Sequence, residues 1–391
     1  MSRWPTVALG DCCEVVSGST PQTSVPEYWD GDIPWATPKD LSLLDSPYIS
    51  HTSRNITRQG LQSCAARVLP CNSVLLSSRA PIGYVAVNTV PMATNQGFKS
   101  LVPDPKRVHH GFLYHWLVAD KSRLQSLGNG ATFKEISKSV VEQLAVPVPP
   151  LFEQRRIAAI LDQADTLRAK RRIAVAKLQS LERALFADQF GDLSAAEPTS
   201  LEELLIEPMR NGTSPSANGT MRASVLTLSA ITGERFNPLA TKVGLFEPRK
   251  AAASRVCPGI FLVCRGNGNK SLVGAAKFAP PNPPDALFPD TMIAVTLDPE
   301  RVSDSFMDCV WRQPIVRRQI ERGARTSNGT WKINQGTLGA IAIPLPPVAL
   351  QQEFAGRVGG IRRLVNRQRT MKCKVDALFA SLQHAAFSGA L

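Results

Sequence analysis

The sequence has no long apolar run and few histidines. None of its segments approaches the roughly 18 consecutive apolar residues of a membrane span, and its first residues lack the apolar core of a signal peptide. Its five histidines and eight cysteines form no HExxH motif and no paired C-x-x-C. We therefore expect a cytoplasmic protein with reduced cysteines, without a membrane partner, a metal site or a cofactor.

Positive charge and apolar residues are abundant. The 391 residues are 43% hydrophobic and 20% charged, a composition that predicts two or three globular domains rather than disorder. Lys and Arg number 45 against 32 Asp and Glu, which gives a net charge of +13. Such an excess favours a polyanionic partner, although solubility alone also explains it.

The chain contains an internal repeat. Residues 146–151 (VPVPPL) match residues 343–348 (IPLPPV) at an offset of 197, and the same offset pairs Gln154 with Gln351 without a gap. Upstream the match is looser: residues 17–21 (SGSTP) correspond to residues 211–215 (NGTSP). In the same alignment Arg79 corresponds to Arg265 and Lys134 to Lys332. Two copies of one unit are the expected architecture.

A long helix follows each Pro-x-Pro-Pro junction, because proline cannot continue a helix and biases the residue before it to extended backbone. Apolar residues then recur at alternating spacings of three and four, the pattern of a heptad seam. The predicted seam comprises Ile157, Leu167, Arg171 and Leu181 in the first helix and Leu364, Gln368 and Leu378 in the second. Helices of about 36 residues would be roughly 55 Å long, too long to pack on one domain, so we expect them to pair with each other.

The order of segments predicts an α+β protein with a pseudo-twofold internal repeat. Two loop-rich domains, residues 1–146 and 192–343, alternate with junction-and-helix segments, residues 147–191 and 344–391. Because the first helix leads to the second domain, only an antiparallel pair lets the second helix return along the first. Two shorter helices are expected over residues 109–127 and 304–322.

Catalytic motifs are missing. Residues 282–284 (NPP) lack the aromatic residue of the signature with which amino-methyltransferases hold a target base, and residues 266–271 (GNGNKS) satisfy neither common phosphate-binding motif. No Pro-Asp pair is followed by the carboxylate and lysine of a nuclease. The sequence therefore favours a binding protein over an enzyme.

Loops rich in Arg, Lys, Asn and Gln recur in both copies. Arg and Lys suit phosphates, whereas Asn and Gln suit base edges. The candidate DNA-binding residues are Lys39, Arg79, Asn95, Gln96, Lys99, Lys134, Arg265, Asn269, Lys270, Asn328 and Lys332. Ordinary turn chemistry is the alternative for each loop taken singly.

Several motifs resemble those of the specificity subunit of type I restriction–modification systems. They are Gly18-x-Thr20-Pro21, a Tyr-Trp followed by Ile-Pro-Trp in residues 28–35, residues 79–83 (RAPIG), residues 95–97 (NQG) and the two Pro-rich junctions. Domain two lacks the Tyr-Trp and Ile-Pro-Trp segment.

The resemblance implies a non-catalytic DNA-binding subunit with two target-recognition domains. Each domain would read half of an asymmetric bipartite site in double-stranded DNA, and the helices would set the unread gap. Two methylation subunits would supply adenine methylation, and restriction subunits would supply ATP-dependent cleavage. A free-standing DNA methyltransferase and a helical scaffold protein remain the alternatives.

Overall fold

The computed structural model of the chain describes residues 4–79, 81–130, 134–191, 193, 196–327 and 329–391. It divides into two compact units. The first comprises Met1–Val175 with Arg367–Leu391, and the second comprises Ala176–Asn366. Each unit therefore contains a globular part and a segment of both long helices.

The first unit has ten strands and six short helices among its described residues. Its strands are β1 (Thr6–Ala8), β2 (Cys13–Ser17), β3 (Trp29–Ala36), β4 (Tyr48–Ile49), β5 (Asn55–Ile56), β6 (Val74–Leu76), β7 (Val85–Asn88), β8 (Ala93–Thr94), β9 (Lys99–Pro103) and β10 (Ala145–Pro147). Its short helices are α1 (Leu9–Cys12), α2 (Pro38–Ser42), α3 (Arg58–Gln62), α4 (His110–Ala119), α5 (Lys121–Ser126) and α6 (Lys138–Glu142). The long helix α7 (Leu151–Phe190) begins here and ends in the second unit.

The second unit follows the same plan. Its strands are β11 (Pro198–Ser200), β12 (Arg210–Asn211), β13 (Met221–Leu226), β14 (Thr241–Phe246), β15 (Phe261–Cys264), β16 (Gly266–Asn267), β17 (Ala276–Phe278), β18 (Met292–Val295), β19 (Arg325–Ser327), β20 (Thr330–Lys332) and β21 (Ala342–Pro344). Its helices are α8 (Ser229–Thr232), α9 (Pro248–Ala253), α10 (Asp304–Val310), α11 (Pro314–Gly323), α12 (Gln335–Gly339) and α13 (Val348–Ser388), of which α13 ends in the first unit.

The central sheet and the junction strand pair repeat between the units. The central sheet has the order β2-β9-β6-β7-β4 in the first unit and β12-β18-β15-β17 in the second. In both, an antiparallel pair joins the first strand to the strand of the Pro-rich junction, β1 to β10 and β11 to β21. The α+β architecture and the internal repeat predicted from the sequence are thereby confirmed.

The two shorter predicted helices are present, but each is interrupted. Residues 109–127 form α4 and α5, which meet at Asp120, and residues 304–322 form α10 and α11. Pro314 is at the first position of α11, where its missing N–H is tolerated but a preceding helical turn is not.

A buried glutamine fixes the first turn of each long helix. The Gln154 side-chain amide donates to the carbonyls of Arg107 and Pro149 and accepts from the His109 N–H, at 2.8–2.9 Å. Gln351 makes the same three bonds one repeat later, to Arg301, Pro346 and Ser303, at 2.8–3.2 Å. The helices consequently begin immediately after the junction prolines, as predicted.

The contacts between α7 and α13 show that the two helices run antiparallel. In the first unit Arg171 Nη1 donates to Gln368 Oε1 at 2.6 Å, and Arg168 Nε donates to Asp376 Oδ1 at 2.7 Å. In the second unit Arg362 Nη2 bonds Glu182 Oε1 at 2.7 Å. Residue numbers rise along one helix as they fall along the other. Arg171 and Gln368, both predicted as seam residues, thus contact each other.

The predicted phase of the seam is wrong at every second position. Ile157, Arg171 and Gln368 lie at inner positions, but Leu167, Leu181, Leu364 and Leu378 are 49–57% exposed. The inner residues are spaced four then three, rather than three then four. They are Ile157, Leu161, Ala164, Arg168, Arg171, Val175, Leu178, Glu182 and Leu185 in α7, and Phe354, Val358, Ile361, Val365, Gln368, Lys372, Val375, Phe379 and Leu382 in α13.

Ion pairing explains the error. Arg168 and Glu182 occupy inner positions because each has a charged partner inside its own unit, Asp376 for Arg168 and Arg362 for Glu182. A hydropathy pattern counts these residues as outer ones and assigns the neighbouring leucines to the seam. Hydrogen bonds from Arg168 and then Lys372 hold the pKa of Asp376 below its usual value, so this carboxylate stays charged.

Candidate nucleic-acid interface

The opening motif of the first unit packs on the NQG turn. The Gly18 N–H donates to the Phe98 carbonyl at 3.4 Å, and the Ser19 N–H donates to the Thr94 carbonyl at 3.0 Å. A Cβ on Gly18 would lie 2.0 Å from the Asn95 carbonyl oxygen, so only glycine fits. Trp35 Nε1 donates to the Ser19 carbonyl at 3.0 Å. Three motifs that are separate in the sequence therefore form one surface.

The NQG turn uses one of its two amide side chains internally. Asn95 Oδ1 accepts the Gly97 N–H at 2.9 Å, which closes the turn. Gln96 is exposed and its Oε1 accepts a hydrogen bond from the Thr20 hydroxyl. Of these two predicted base readers, Gln96 is the more accessible.

Lys39 lies in the exposed first turn of α2, beside this surface. The turn is fixed by a capping box in which the Thr37 N–H donates to Asp40 Oδ2 at 2.8 Å. Burial alone would raise the pKa of Asp40, but hydrogen bonds from Thr37 and Ser53 outweigh it and hold that pKa below its usual value. The backbone that presents Lys39 is thus well fixed.

Arg79, Lys99 and Glu135 form a charged triad in the first unit. Lys99 Nζ lies 3.2 Å from Glu135 Oε1, and Arg79 Nη1 lies 3.7 Å from Glu135 Oε2. The side chain of Lys99 is only 11% exposed, whereas those of Arg79 and Glu135 are 34% and 37% exposed. Burial does not suit Lys99 for direct phosphate contact. Lys134, next in the chain to Glu135, is exposed.

The second unit builds the corresponding surface from different residues. The Gly212 N–H donates to the Met292 carbonyl at 3.2 Å, and the Thr213 N–H donates to the Phe288 carbonyl at 3.1 Å. Arg265 follows β15, and its Nη1 donates to the Asp290 carbonyl at 3.3 Å. The NGTSP segment and Arg265 are thereby brought together.

Residues 266–271 and the strand β20 complete this surface. Asn269 Oδ1 accepts the Ser271 N–H at 3.0 Å, which starts a short turn, and Lys270 Nζ lies 4.5 Å from the centre of the Trp331 ring. Lys332 is exposed and pairs in the sheet with both Gly266 and Arg325. The predicted residue Asn328 lies outside the described residues.

Sequence reasoning missed Trp331, Arg317 and Arg325 here. Arg317 donates to the carbonyls of Val273, at 2.6 Å, and Lys270, at 3.1 Å, and so holds the Lys270 turn from beneath. Trp331 adds an aromatic ring next to Lys270, and it precedes Lys332, which pairs with Arg325. Its signal was the Thr-Trp-Lys segment, but nothing in the sequence marks Arg317 or Arg325 as neighbours of that segment.

Backbone hydrogen bonds correct the alignment of the two copies by one residue. The Ser78 N–H donates to the Gly97 carbonyl and the Ser78 carbonyl accepts from Ile136, at 2.8 and 3.0 Å. Arg265 makes the equivalent bonds, to Thr291 and from Ile333, at 2.8 and 2.9 Å. Ile136 and Ile333 are a repeat pair, so Arg265 is equivalent to Ser78 and not to Arg79.

The correction changes which side chains correspond. Arg79 is equivalent to Gly266, since Arg79 bridges to Glu135 as Gly266 pairs with Lys332. By the same register Lys134 corresponds to Trp331, not to Lys332. Successive side chains of an extended segment point to opposite faces, so Arg79 and Arg265 lie on different faces of their segments. The sequence alignment matched Arg79 to Arg265 because both are arginine, and it therefore missed this shift of one residue.

Domain two contains a counterpart of the Ile-Pro-Trp strand with a different sequence. Trp35 pairs in parallel with Ala93, and Val225 pairs in parallel with Leu287 at the equivalent place. A short helix follows in each unit, α2 and α8. The strand β13 therefore replaces in structure the motif that domain two lacks in sequence.

Neither a metal site nor a membrane span is found in the described part of the chain. Among the described residues, no group of three or more His, Cys, Asp and Glu side chains is arranged to hold a metal ion. In the same part of the chain, no helix is both long enough and apolar enough to cross a membrane.

Two α+β units with matching surface loops and antiparallel helix segments define a class of two-domain proteins with an internal repeat. Residues 1–177 match the family model of the type I restriction modification DNA specificity domain. The chain is 38% identical over 203 residues to the type I restriction enzyme MjaIX specificity subunit of Methanocaldococcus jannaschii, across 52% of this chain and 46% of that one. It is 22% identical over 342 residues to the EcoKI specificity subunit of Escherichia coli, across 80% and 73% of the two chains.

The fold is also that of solved structures. The type I restriction–modification S subunit from M. genitalium matches with a TM-score of 0.60 and 14% identity, over 99% of this chain and 96% of that one. The chain spans about half the length of the MjaIX subunit, 46%, and 41% of the EcoR124I/EcoR124II specificity subunit of Escherichia coli, to which it is 30% identical over 174 residues. The first part of the chain therefore matches the type I restriction modification DNA specificity domain, and the whole chain has the fold of a solved S subunit.

Proposed function

We propose that this chain is a non-catalytic DNA-recognition subunit that reads a bipartite, asymmetric site. Residues 1–146 and 192–343 would each read one half-site, and the helical segments 147–191 and 344–391 would set the unread gap. The observation that carries the proposal is the repeated surface: the same loops meet on both units, held by equivalent backbone hydrogen bonds.

Different side chains at equivalent places favour two different half-sites. Ser78, Arg79 and Glu135 of the first unit are replaced by Arg265, Gly266 and Lys332 in the second. Base edges are distinguished by the donor and acceptor groups that reach them, so these surfaces would select different bases. The site is therefore proposed to be asymmetric.

The exposed leucines of the long helices favour two equivalent partner sites. Leu167 and Leu378 lie in the first unit, and Leu181 and Leu364 lie in the second. All four immediately precede an inner position, and in an antiparallel pair such positions flank the same side of the seam. Contiguous exposed apolar patches are typical of interaction surfaces, and two leucines on one side of the seam would contribute to such a patch in each unit. We assign one pair to each of two methylation subunits.

In this proposal the partner subunits perform the chemistry. The methylation subunits would methylate adenine, and restriction subunits would add ATP-dependent cleavage. Leu167→Glu with Leu378→Glu is expected to lower the stoichiometry of methylation subunits from two to one. Leu43→Glu is the matched control, since Leu43 is 73% exposed in the same unit but lies off the helices.

The direct test is to map methylated adenines in DNA exposed to the complex of this chain with its methylation subunits. Two fixed half-sites separated by a constant gap are expected. The chain alone should bind DNA weakly, with an affinity that falls steeply with salt. Methyl transfer by the chain alone would instead support a free-standing methyltransferase, and a complex without sequence preference would support a scaffold.

A further inference from the structure

The Lys99–Glu135–Arg79 triad belongs to the first unit only. At the equivalent positions the second unit has Ile293, Lys332 and Gly266. The central sheets share the strand order β2-β9-β6-β7 and β12-β18-β15-β17, and the second unit builds this sheet with an apolar residue in place of the buried lysine. A lysine in the strand β20 takes the place of the glutamate. The fold does not require the triad, so its retention at the recognition surface calls for another reason.

In the triad the buried residue Lys99 fixes Glu135, and Glu135 in turn contacts Arg79 at the surface. A nearly buried ammonium is costly unless a carboxylate faces it, so Lys99 holds Glu135 Oε1 in one place. The other oxygen, Oε2, faces Arg79 Nη1. This contact, at 3.7 Å, is an ion pair longer than a hydrogen bond, and a guanidinium has five N–H donors. The rest of the Arg79 fork remains available at the surface.

We propose that Glu135 is a positioning residue that holds Arg79 for base reading in the first half-site, with Lys99 as its buried anchor. The inference rests on the proposed function, because it assigns roles within the first recognition domain. A fixed guanidinium suits bidentate bonding to guanine, which depends on orientation. The partly exposed carboxylate of Glu135 would repel a phosphate group, so it disfavours contact between Arg79 and the DNA backbone.

The second unit has the opposite character at this place. Lys332 and Arg325 pair across β19 and β20, and the residue equivalent to Glu135 is itself a cation. Such a pair suits phosphate contact, which positions the protein on the duplex without reading sequence. The equivalent residues Glu135 and Lys332 are thus predicted to act in different ways.

The test uses the full chain in complex with its methylation subunits. Glu135→Gln is expected to weaken preference at one base pair of the first half-site about tenfold or more, the loss of a bidentate contact. Affinity for unrelated DNA should stay equal or rise, since a negative charge is removed. Arg79→Ala should cause the same loss of preference, and the double variant should lose no more than either single variant.

Two further variants separate positioning from a purely structural role. Lys99→Ile with Glu135→Lys and Arg79→Gly gives the first unit the three residues with which the second unit folds, and it should lose the preference while keeping its thermal stability. Lys332→Gln is the matched control and should lower affinity for all sequences alike, with a salt dependence weaker by about one phosphate contact.

The outcomes are distinguishable. The inference would be overturned if Glu135→Gln and the variant with Lys99→Ile, Glu135→Lys and Arg79→Gly both kept the base preference of the unaltered complex. It would also be overturned if these variants lost affinity for every sequence equally and had lower thermal stability. If the unaltered complex shows no preference at either half-site, the proposed function itself fails. Thermal unfolding and methylation of DNA libraries randomised in one half-site supply both readouts.

Discussion

Replacing the buried glutamine at the start of each long helix should destabilise one unit and spare the other. Gln154 and Gln351 are fully buried, and each joins its helix to the backbone before the junction and to the residue just before α4 or α10. Gln154→Ala removes three hydrogen bonds and leaves two carbonyls and one N–H without their partners.

The expected loss is about 3 kcal/mol. A buried backbone group that loses its partner costs roughly 1–3 kcal/mol, and three groups at the low end of that range give this sum. For a unit of this size each kcal/mol lowers Tm by about 2–4 °C. Gln154→Ala should therefore lower the transition of the first unit by about 6–12 °C, and Gln351→Ala should do the same to the second.

Differential scanning calorimetry measures both transitions, and amide exchange supplies a local readout. The His109 N–H should exchange faster in Gln154→Ala, and the Ser303 N–H should do so in Gln351→Ala, because each loses its acceptor. Gln352→Ala is the control, since this neighbouring glutamine is exposed. Losses below about 1 kcal/mol in both variants would refute the assignment, because they would mean that water replaces all three bonds.

Three other outcomes are expected. Phe379→Ala should lower the free energy of unfolding by about 3–5 kcal/mol and Leu378→Ala by less than about 1 kcal/mol, because Phe379 is 4% exposed and Leu378 is 57% exposed. The reverse order in denaturant unfolding would instead support the seam positions predicted from the sequence. Arg265→Ala should weaken recognition of the second half-site only, as measured on DNA libraries randomised in one half-site; an equal effect on both would contradict the division of labour. Four residues inserted after Val175 and four after Asn366 would lengthen both antiparallel helices by about 6 Å. The proposed gap should then grow by about one to two base pairs. An unchanged gap in an active variant would show that the helices do not set it.

The large-scale plan was predictable because its signals are local and repeated. Proline forces each helix to begin after its junction, and a repeat that keeps register over dozens of residues reveals two copies. Gln154 and Gln351 belong to that register, and their identical hydrogen bonds explain why a polar residue recurs at a buried position.

The seam could not be placed to the residue. Spacings of three-four and four-three share every second position, so Ile157, Arg171 and Gln368 fit both phases. Leucine content then favours the wrong phase, because the inner residues Arg168 and Glu182 are charged. Only their partners, Asp376 and Arg362, distant in sequence, make those positions inner ones.

The loops that form the proposed recognition surface could be listed from the sequence, but the correspondence of their side chains between the two units could not. A shift of one residue in extended backbone exchanges the two faces, and the match of Arg79 to Arg265 contained such a shift. Once the backbone register is used, Glu135 stands opposite Lys332 in the repeat, and a charge inversion replaces an apparent identity. Conserving the hydrogen bonds of the backbone while changing the charge of the side chains lets one scaffold, used twice, present two chemically different surfaces.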